Sequence, residues 1–331
     1  MGRLRSFETQ CLKADDKVDT VKTDVNYLHP VISCSFSMML SDTSQAGVGQ
    51  LQILRMNSEI RQFVCQKRVA GQTVGLVPTM GGLHAGHLSL VETCQRECDT
   101  TMVTLFVNPL QFSAGEDLEN YPGEEATDIE KLADWGVDFV FVPTPEAMYP
   151  PGFSTFVTPP AVAQPLEGRC RPQHFRGVTT IVLKLFNIIP ANTAYFGQKD
   201  YQQSLVIRQM VTDLNVPIQI SVQPTVRDVD GLALSSRNAY LSADQRQQAL
   251  ALVNSLRMAA EVVKNGQWEA PMVVAKMRQI LADVGISRID YITIVHPETL
   301  EEIHHIQERS LAAVAAYVGN VRLIDNQLID P

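Results

Sequence analysis

The chain has 331 residues, a length that favours two domains, and its 45% apolar and 19% charged residues are typical of a globular protein. The net charge of −9 argues against general binding to nucleic acid or to an anionic membrane. The six cysteines are too few and too scattered for a disulfide framework, and no apolar run reaches the ~18 residues of a membrane span. We therefore expect a cytoplasmic protein without a nucleic-acid or membrane partner.

Residues 1–50 differ from the rest, because acidic residues and a few lysines are mixed there without a sustained helical or strand period. The segment has neither the apolar core of a secretory signal nor the arginine-rich, acid-poor composition of an organellar presequence. We expect a flexible extension, or an upstream start codon with translation beginning near Met38, Met39 or Met56. A longer, fused polypeptide remains a further alternative.

From residue 51 to about residue 225, apolar strands alternate with helical patterns, which is typical of βαβ units. The predicted strands are 74–77, 101–107, 137–142, 193–196 and 218–222, and the predicted helices are 58–68, 86–94, 128–133, 178–189 and 205–214. This order predicts a Rossmann-like, doubly wound α/β domain with a parallel sheet over residues 51–226. Ligands of such a domain bind at the carboxyl ends of the strands.

After residue 230 the alternation stops. Ser242 and Gln245 predict a capping box for a long helix that ends at Gly266. A second helix over 272–284 and strands over 289–295, 311–318 and 322–324 follow. Two helices and then consecutive strands predict a smaller α+β domain over residues 227–331, which we expect to act as a lid.

The first strand leads into PTMGGLHAGH, residues 78–87. Pro78 is predicted to end the strand, and the glycines that follow allow the backbone to turn and to approach a ligand closely. A glycine-bearing loop between a strand and a helix start offers unpaired amides and the helix dipole to an anion such as a triphosphate. His84 and His87 are three residues apart, so both can face the same bound group. A fragment of a metal site and a surface pair are the alternatives for these histidines.

Two other segments carry polar side chains suited to an acidic substrate. In FVNPLQFSAGEDLENYP, residues 106–122, Asn108 and Gln111 directly follow a strand, where their amides can bind hydroxyl and carboxylate groups. In LEGRCRPQHFRGV, residues 166–178, a dense cationic cluster suits an anionic substrate. Its members are Arg169, Arg171, His174 and Arg176.

Two further segments suit a polyphosphate. AYFGQKDYQQ, residues 194–203, again joins a strand to a helix, with Gly197 for close backbone approach and Lys199 as a point charge for phosphate. TVRDVDGLALSSRNAYLS, residues 225–242, places two hydroxyls and a guanidinium in succession at Ser235, Ser236 and Arg237.

These strings, in this order, resemble the pantothenate synthetase (pantoate–β-alanine ligase) family of the HxGH nucleotidylyltransferase superfamily, and the resemblance extends from about residue 51 to the carboxyl-terminal RLIDN, residues 322–326. It implies an ATP-dependent condensation of pantoate with β-alanine to pantothenate through a pantoyl-adenylate intermediate, with release of AMP and pyrophosphate. It also implies Mg²⁺ as a cofactor and a homodimeric enzyme.

The resemblance implies roles for individual residues. Catalytic roles fall to His84, His87, Lys199 and Arg237, with His87 as a proton donor, while Gln111, Gln203 and Asn108 bind pantoate. The implied ATP site comprises Met80, Gly81, Gly82, Leu83, His84, Ala85, Gly86, His87, Gly197, Gln198, Lys199, Asp200, Val226, Leu234, Ser235, Ser236 and Arg237. The protein ligand of Mg²⁺ is unknown, and Asp128 is the one candidate.

The chain departs from the family pattern at three positions: Gly123 replaces an arginine, Gln173 a glycine and Gln198 a glutamate. Two alternatives stay open. Another HxGH adenylyl- or cytidylyltransferase would not need Gln111 and Gln203. A nucleotide-binding protein without catalysis is suggested by the departures at Gly123 and Gln173.

Overall fold

The computed structural model describes residues 51–113 and 115–331, so the expectation for residues 1–50 lies outside the described residues. Six parallel strands form the first sheet in the order β1-β4-β3-β2-β5-β6. Their bounds are Gln52–Leu54 (β1), Val74–Thr79 (β2), Thr100–Leu105 (β3), Phe139–Phe141 (β4), Thr193–Gly197 (β5) and Gln219–Gln223 (β6). The strand order reverses between β2 and β5, which is the place where an open α/β sheet leaves a crevice for ligands.

Helices cover both faces of this sheet. Their bounds are Asn57–Val69 (α1), Ala85–Glu97 (α2), Glu125–Asp134 (α3), Pro145–Met148 (α4), Glu167–Cys170 (α5), His174–Ile188 (α6) and Tyr201–Asp213 (α7). Side chains of α1, α6 and α7 form one apolar core, and those of α2 and α3 form a second core. Strands β3 and β4 are buried along their whole length, as expected when both faces of a sheet are covered. The predicted doubly wound α/β class is therefore confirmed.

A second, smaller unit follows the first sheet. Helices Ala243–Lys264 (α8) and Ala270–Asp283 (α9) pack on an antiparallel sheet of Ile289–Val295 (β7), Ser310–Val318 (β8) and Val321–Ile329 (β9). The predicted capping box is present, because Ser242 Oγ accepts the Gln245 N–H and Gln245 Oε1 accepts the Ser242 N–H. Within residues 51–113 and 115–331, none of the helices is both long and apolar enough to cross a membrane.

One local prediction in the first domain was wrong, and one strand was missed. Strand β2 does not end at Pro78 but continues to Thr79. The proline is tolerated because β2 pairs with β5 only at Gly75 and Leu76, so the strand is paired on one side alone at that point. The short edge strand β1 was missed, since three residues are too few to show a period.

Candidate functional site

A cavity of about 1380 Å³ lies at the carboxyl ends of β2, β3 and β5 and reaches strands β8 and β9 of the smaller domain. Most of the predicted site residues line it. They are Met80, His84, Gly86, His87, Asn108, Gln111, Gly197, Lys199, Asp200, Gln203, Val226, Leu234, Ser235, Ser236 and Arg237. The other predicted members, Gly81, Gly82, Leu83, Ala85 and Gln198, belong to the same loops but do not line the cavity.

His84 and His87 stand at the start of α2, with their ring centroids 4.1 Å apart. His84 is the N-cap residue, and its Nδ1 accepts the Gly86 N–H at 3.1 Å. The Nδ1 atom of His87 accepts the His84 N–H at 3.4 Å. Because both Nδ1 atoms act as acceptors, each neutral ring carries its proton on Nε2 and can donate from there.

Both imidazoles are uncharged at neutral pH. Burial, and after it the charge of Lys199, lowers the pKa of His84 to about 4. Burial, followed in size by the effects of His84 and Lys199, lowers the pKa of His87 to about 3. The pair therefore offers two neutral Nε2–H donors to an anion, with Lys199 close enough to act on both.

Asp128 of α3 supports the loop between β2 and α2 from behind. Its carboxylate, 2% exposed, accepts the N–H of Gly82 at 2.7 Å and that of Leu83 at 2.9 Å. Gly82 adopts a φ of +64°, a conformation that a buried acceptor stabilises here. Asp128 does not line the cavity, and its two hydrogen bonds shape the loop. The suggestion that it binds Mg²⁺ stays a prediction.

Asn108 and Gln111 lie side by side after β3. Asn108, 1% exposed, donates from Nδ2 to Gln111 Oε1 and to the Gly177 carbonyl, while its Oδ1 accepts from Leu110 N–H and from the Tyr149 hydroxyl. All of its hydrogen-bonding capacity is thus used within the protein. Gln111 keeps its Nε2 near the Met80 sulfur, at the wall of the cavity.

Lys199 follows β5 on the opposite side of the reversal in strand order. Its Nζ is 3.7 Å from the Asp200 carboxylate, a long and partly exposed pairing that leaves the ammonium available. The carbonyl groups of Gln198 and Lys199 accept from the Asn326 amide of β9 at 3.1 and 2.8 Å. The smaller domain therefore contacts this loop directly.

The segment with Ser235, Ser236 and Arg237 is joined to the loop that follows Gln111. Arg237 donates from Nε and Nη2 to both carboxylate oxygens of Asp117 at 2.9 and 2.8 Å. Burial alone would raise the pKa of Asp117, but the hydrogen bonds and charge of Arg237 outweigh it and leave the pKa below its usual value. Ser236 is also 3.1 Å from the Tyr121 hydroxyl.

The predicted cationic cluster does not act as a unit. Arg169 and Arg176 are exposed and do not line the cavity. Arg171 is held by Glu116 at 2.6 and 2.7 Å, and burial lowers the pKa of His174 to about 4. Arg171 and His174 line the cavity, where Glu116 and Glu167 neutralise the charge of Arg171, so binding of an anionic substrate by this cluster stays a prediction.

Comparison with known proteins identifies the family. The family model described as Pantoate-beta-alanine ligase matches residues 52–328. The chain belongs to the pantoate–beta-alanine ligase family. The resemblance inferred from the motifs is thereby confirmed.

Relatives and solved structures agree with this family. The pantothenate synthetase of Chloroflexus aurantiacus is 49% identical over 281 residues, which cover 85% of this chain and 99% of the relative. The pantothenate synthetase of Thermus thermophilus matches in structure with a TM-score of 0.80 at 42% identity, covering 85% of this chain and all of that chain. The Francisella tularensis pantoate-beta-alanine ligase, solved in complex with beta-gamma ATP and beta-alanine, matches with a TM-score of 0.70 at 34% identity over 84% of this chain and 97% of its own.

One departure from the ligase family pattern has a clear structural setting. Gly123, where the family has arginine, lies directly against Gly82, since a Cβ at residue 123 would be 2.9 Å from Gly82 N. A Cβ on Gly82 would in turn be 2.3 Å from the Pro122 carbonyl oxygen. In this ligase the backbone at residues 122–123 therefore packs directly on the backbone at Gly82. A side chain at either glycine would fit only if the loop moved.

Two residues at this site of the ligase were missed in the sequence. Asp117 holds Arg237, and Asn326 holds the loop of Lys199. Both lie inside strings that match the family pattern, which was the available signal. Their partners are more than 100 residues away in the chain, so spacing alone did not connect them.

Proposed function

We propose that the chain condenses pantoate with β-alanine at the expense of ATP, releasing AMP and pyrophosphate. The observation that carries this proposal is that two kinds of residues share one cavity. Donors suited to a polyphosphate (His84, His87, Lys199 and the segment 235–237) stand beside amides suited to a small hydroxy acid, Gln111 and Gln203.

We assign the polyphosphate to the space between the start of α2 and the loop of Lys199. Neutral Nε2–H donors on one side and an ammonium on the other suit oxygens that carry negative charge. The bonds of Arg237 to Asp117 use Nε and Nη2, so Nη1 can be offered to a phosphate oxygen. Val226 and Leu234, joined by a backbone hydrogen bond at 3.0 Å, are assigned to the adenosine part.

The reaction proceeds in two displacements. A carboxylate oxygen of pantoate attacks the α-phosphorus of ATP, and the bond to pyrophosphate breaks. The amine of β-alanine then attacks the acyl carbon of pantoyl adenylate, loses a proton, and AMP leaves with the oxygen that came from pantoate. No protein nucleophile is needed, because positioning and stabilisation of charge on the phosphates lower the barrier.

His87 has a defined part in this scheme. The negative charge of a bound polyphosphate raises the pKa of a neighbouring imidazole, so His87 can hold or deliver a proton at a phosphate oxygen. Gln111 and Gln203 orient pantoate, and Asn108 keeps Gln111 in place through its own hydrogen bonds.

Mg²⁺ belongs to this proposal as a partner of ATP. Among the residues that the structure describes, no group of three or more His, Cys, Asp or Glu side chains is arranged to hold a metal ion. We assign Mg²⁺ mainly to the phosphate oxygens of ATP, which are the hard oxygen ligands it prefers, with the cavity-lining carboxylate of Asp200 as a protein ligand. When bound, Mg²⁺ would neutralise charge that develops on the phosphates.

Three broader expectations are also carried as proposals. Residues 51–226 form the ATP- and pantoate-binding domain and 227–331 a lid, supported by the contacts of Asn326 with the loop of Lys199. The enzyme is a homodimer, which sedimentation velocity tests. It resides in the cytoplasm, which cell fractionation tests.

The experiment measures the formation of AMP and pyrophosphate from ATP in the presence of pantoate and β-alanine, and again with each of these two substrates omitted in turn. The proposal requires AMP formation to depend on pantoate, and pantothenate to form only when β-alanine is added. AMP formation that is independent of pantoate, or transfer of AMP to a phosphorylated substrate, would instead identify another nucleotidylyltransferase. Binding of ATP with no turnover would identify a non-catalytic nucleotide-binding protein.

A further inference from the structure

Strand β9 contacts the loop of Lys199 through one buried amide. Asn326, 6% exposed, donates from Nδ2 to the carbonyl oxygens of Gln198 and Lys199. Both neighbours are acceptors, so only the NH₂ end of the amide can face them. The side-chain oxygen of Asn326 is buried and has no hydrogen-bond partner in the part of the chain that the structure describes.

The preceding residue of β9 contacts the segment that carries Val226 and leads to Ser235. Asp325, 4% exposed, accepts from Arg227 at 2.7 and 3.0 Å in a bidentate pair. Arg227 directly follows Val226 and bridges to Ala233 in an antiparallel pairing, which leads into Ser235. Asp325 Oδ1 also accepts the backbone N–H of Asn326 at 2.8 Å, which holds the Asp325 side chain against the backbone of Asn326.

We propose that Asn326 is a positioning residue that sets where Lys199 meets the phosphates, with β9 fixing the spacing between the two loops. A lysine side chain has several rotatable bonds and a large rotamer entropy, so its reach is defined only when its backbone is fixed. The two hydrogen bonds of Asn326 hold the peptide units on both sides of the Lys199 Cα atom. This inference rests on the proposed function, because it deepens the role of the same cavity.

The first test is Asn326→Asp, which keeps the shape but turns an acceptor oxygen toward two carbonyl oxygens. We expect the KM for ATP to rise by about tenfold to a hundredfold, the effect of unpairing buried polar groups. The KM values for pantoate and β-alanine should stay within about twofold of the wild type. Gln327→Ala, the next residue of β9 and half-buried, is the matched control and should leave all three values unchanged.

The second test asks whether the effect passes through Lys199. The dissociation constant of ATP is measured for the wild type, Asn326→Asp, Lys199→Ala and the double variant. If Asn326 acts by positioning Lys199, the aspartate substitution weakens ATP binding by less than about twofold once Lys199 is absent. An equal loss in both backgrounds would overturn the inference, because it would mean that Asn326 contacts ATP itself or only stabilises the fold.

The two proposals fail in different ways. A wild-type chain without pantoate-dependent AMP formation refutes the proposed function. A wild-type chain that has this activity, combined with an unchanged KM for ATP in Asn326→Asp, refutes only the positioning role. If Asn326→Asp does not fold, as judged by its melting curve, Asn326→Ala replaces it in the same cycle, with the same expected results.

Discussion

Replacing Asp128 by asparagine removes one of the two acceptors that hold the loop before α2. The carboxylate accepts the N–H groups of Gly82 and Leu83 at 2.7 and 2.9 Å while 2% exposed. An asparagine keeps one oxygen but turns an NH₂ group toward the other N–H, leaving a buried donor unpaired. A lost hydrogen bond to a charged acceptor costs about 1.5–3 kcal/mol and an unsatisfied donor about 1–3 kcal/mol. We therefore expect a loss of about 3 kcal/mol, a large part of a domain's stability of about 5–15 kcal/mol.

The assay is urea unfolding followed by tryptophan fluorescence. The chain has two tryptophans, and Trp135 lies at the carboxyl end of α3, the helix that carries Asp128. In a Trp268→Phe background, Trp135 reports on this domain alone. Asp134→Asn, an exposed position in the same helix, is the matched control and should change little. A midpoint for Asp128→Asn equal to that of the control would refute the supporting role of the carboxylate.

Three further predictions follow from the same site. Gly82→Ala should abolish ATP binding, because its Cβ would lie 2.3 Å from the Pro122 carbonyl oxygen. The control Gly71→Ala also has a positive φ, of +77°, but lies in open space, so it should lower the free energy of thermal unfolding by only about 1–2 kcal/mol and keep ATP binding. The pKa of His174 is about 6.5 in the unfolded chain and about 4 in the folded protein, so the free energy of unfolding falls by about 3 kcal/mol as the pH drops through this window. His174→Gln should therefore flatten the dependence of stability on pH between pH 7 and 5, and an unchanged slope would contradict the reasoning. His87→Ala should lower kcat by about 10²–10³-fold while the protein stays folded, and near-wild-type turnover would remove His87 from the mechanism.

The fold could be predicted because its signals are local. Apolar runs between helical patterns predicted the parallel sheet, and Ser242 with Gln245 predicted the start of α8. The end of β2 was mispredicted at Pro78, since the cost of a proline depends on which neighbours the strand pairs with at that residue. Pairing of this kind is set by the tertiary fold.

The sequence predicted the parts of the site that lie within a single motif. Residues from the loops after β2 and β5, among them His84, His87 and Lys199, line one cavity. The sequence did not show that Arg171 and Arg237 are paired with Glu116 and Asp117, or that Asn326 spans to Lys199. These contacts join segments that are distant in the chain. The charges within one motif do not show which distant residue pairs with them.

The most direct test of the proposed reaction traces an oxygen atom. Pantoate labelled with ¹⁸O in its carboxylate is incubated with ATP and β-alanine, and the AMP formed is analysed by mass spectrometry. Attack of the carboxylate on the α-phosphorus predicts that each AMP molecule carries one ¹⁸O atom from pantoate. Unlabelled AMP, or label in pyrophosphate or inorganic phosphate, would contradict the account.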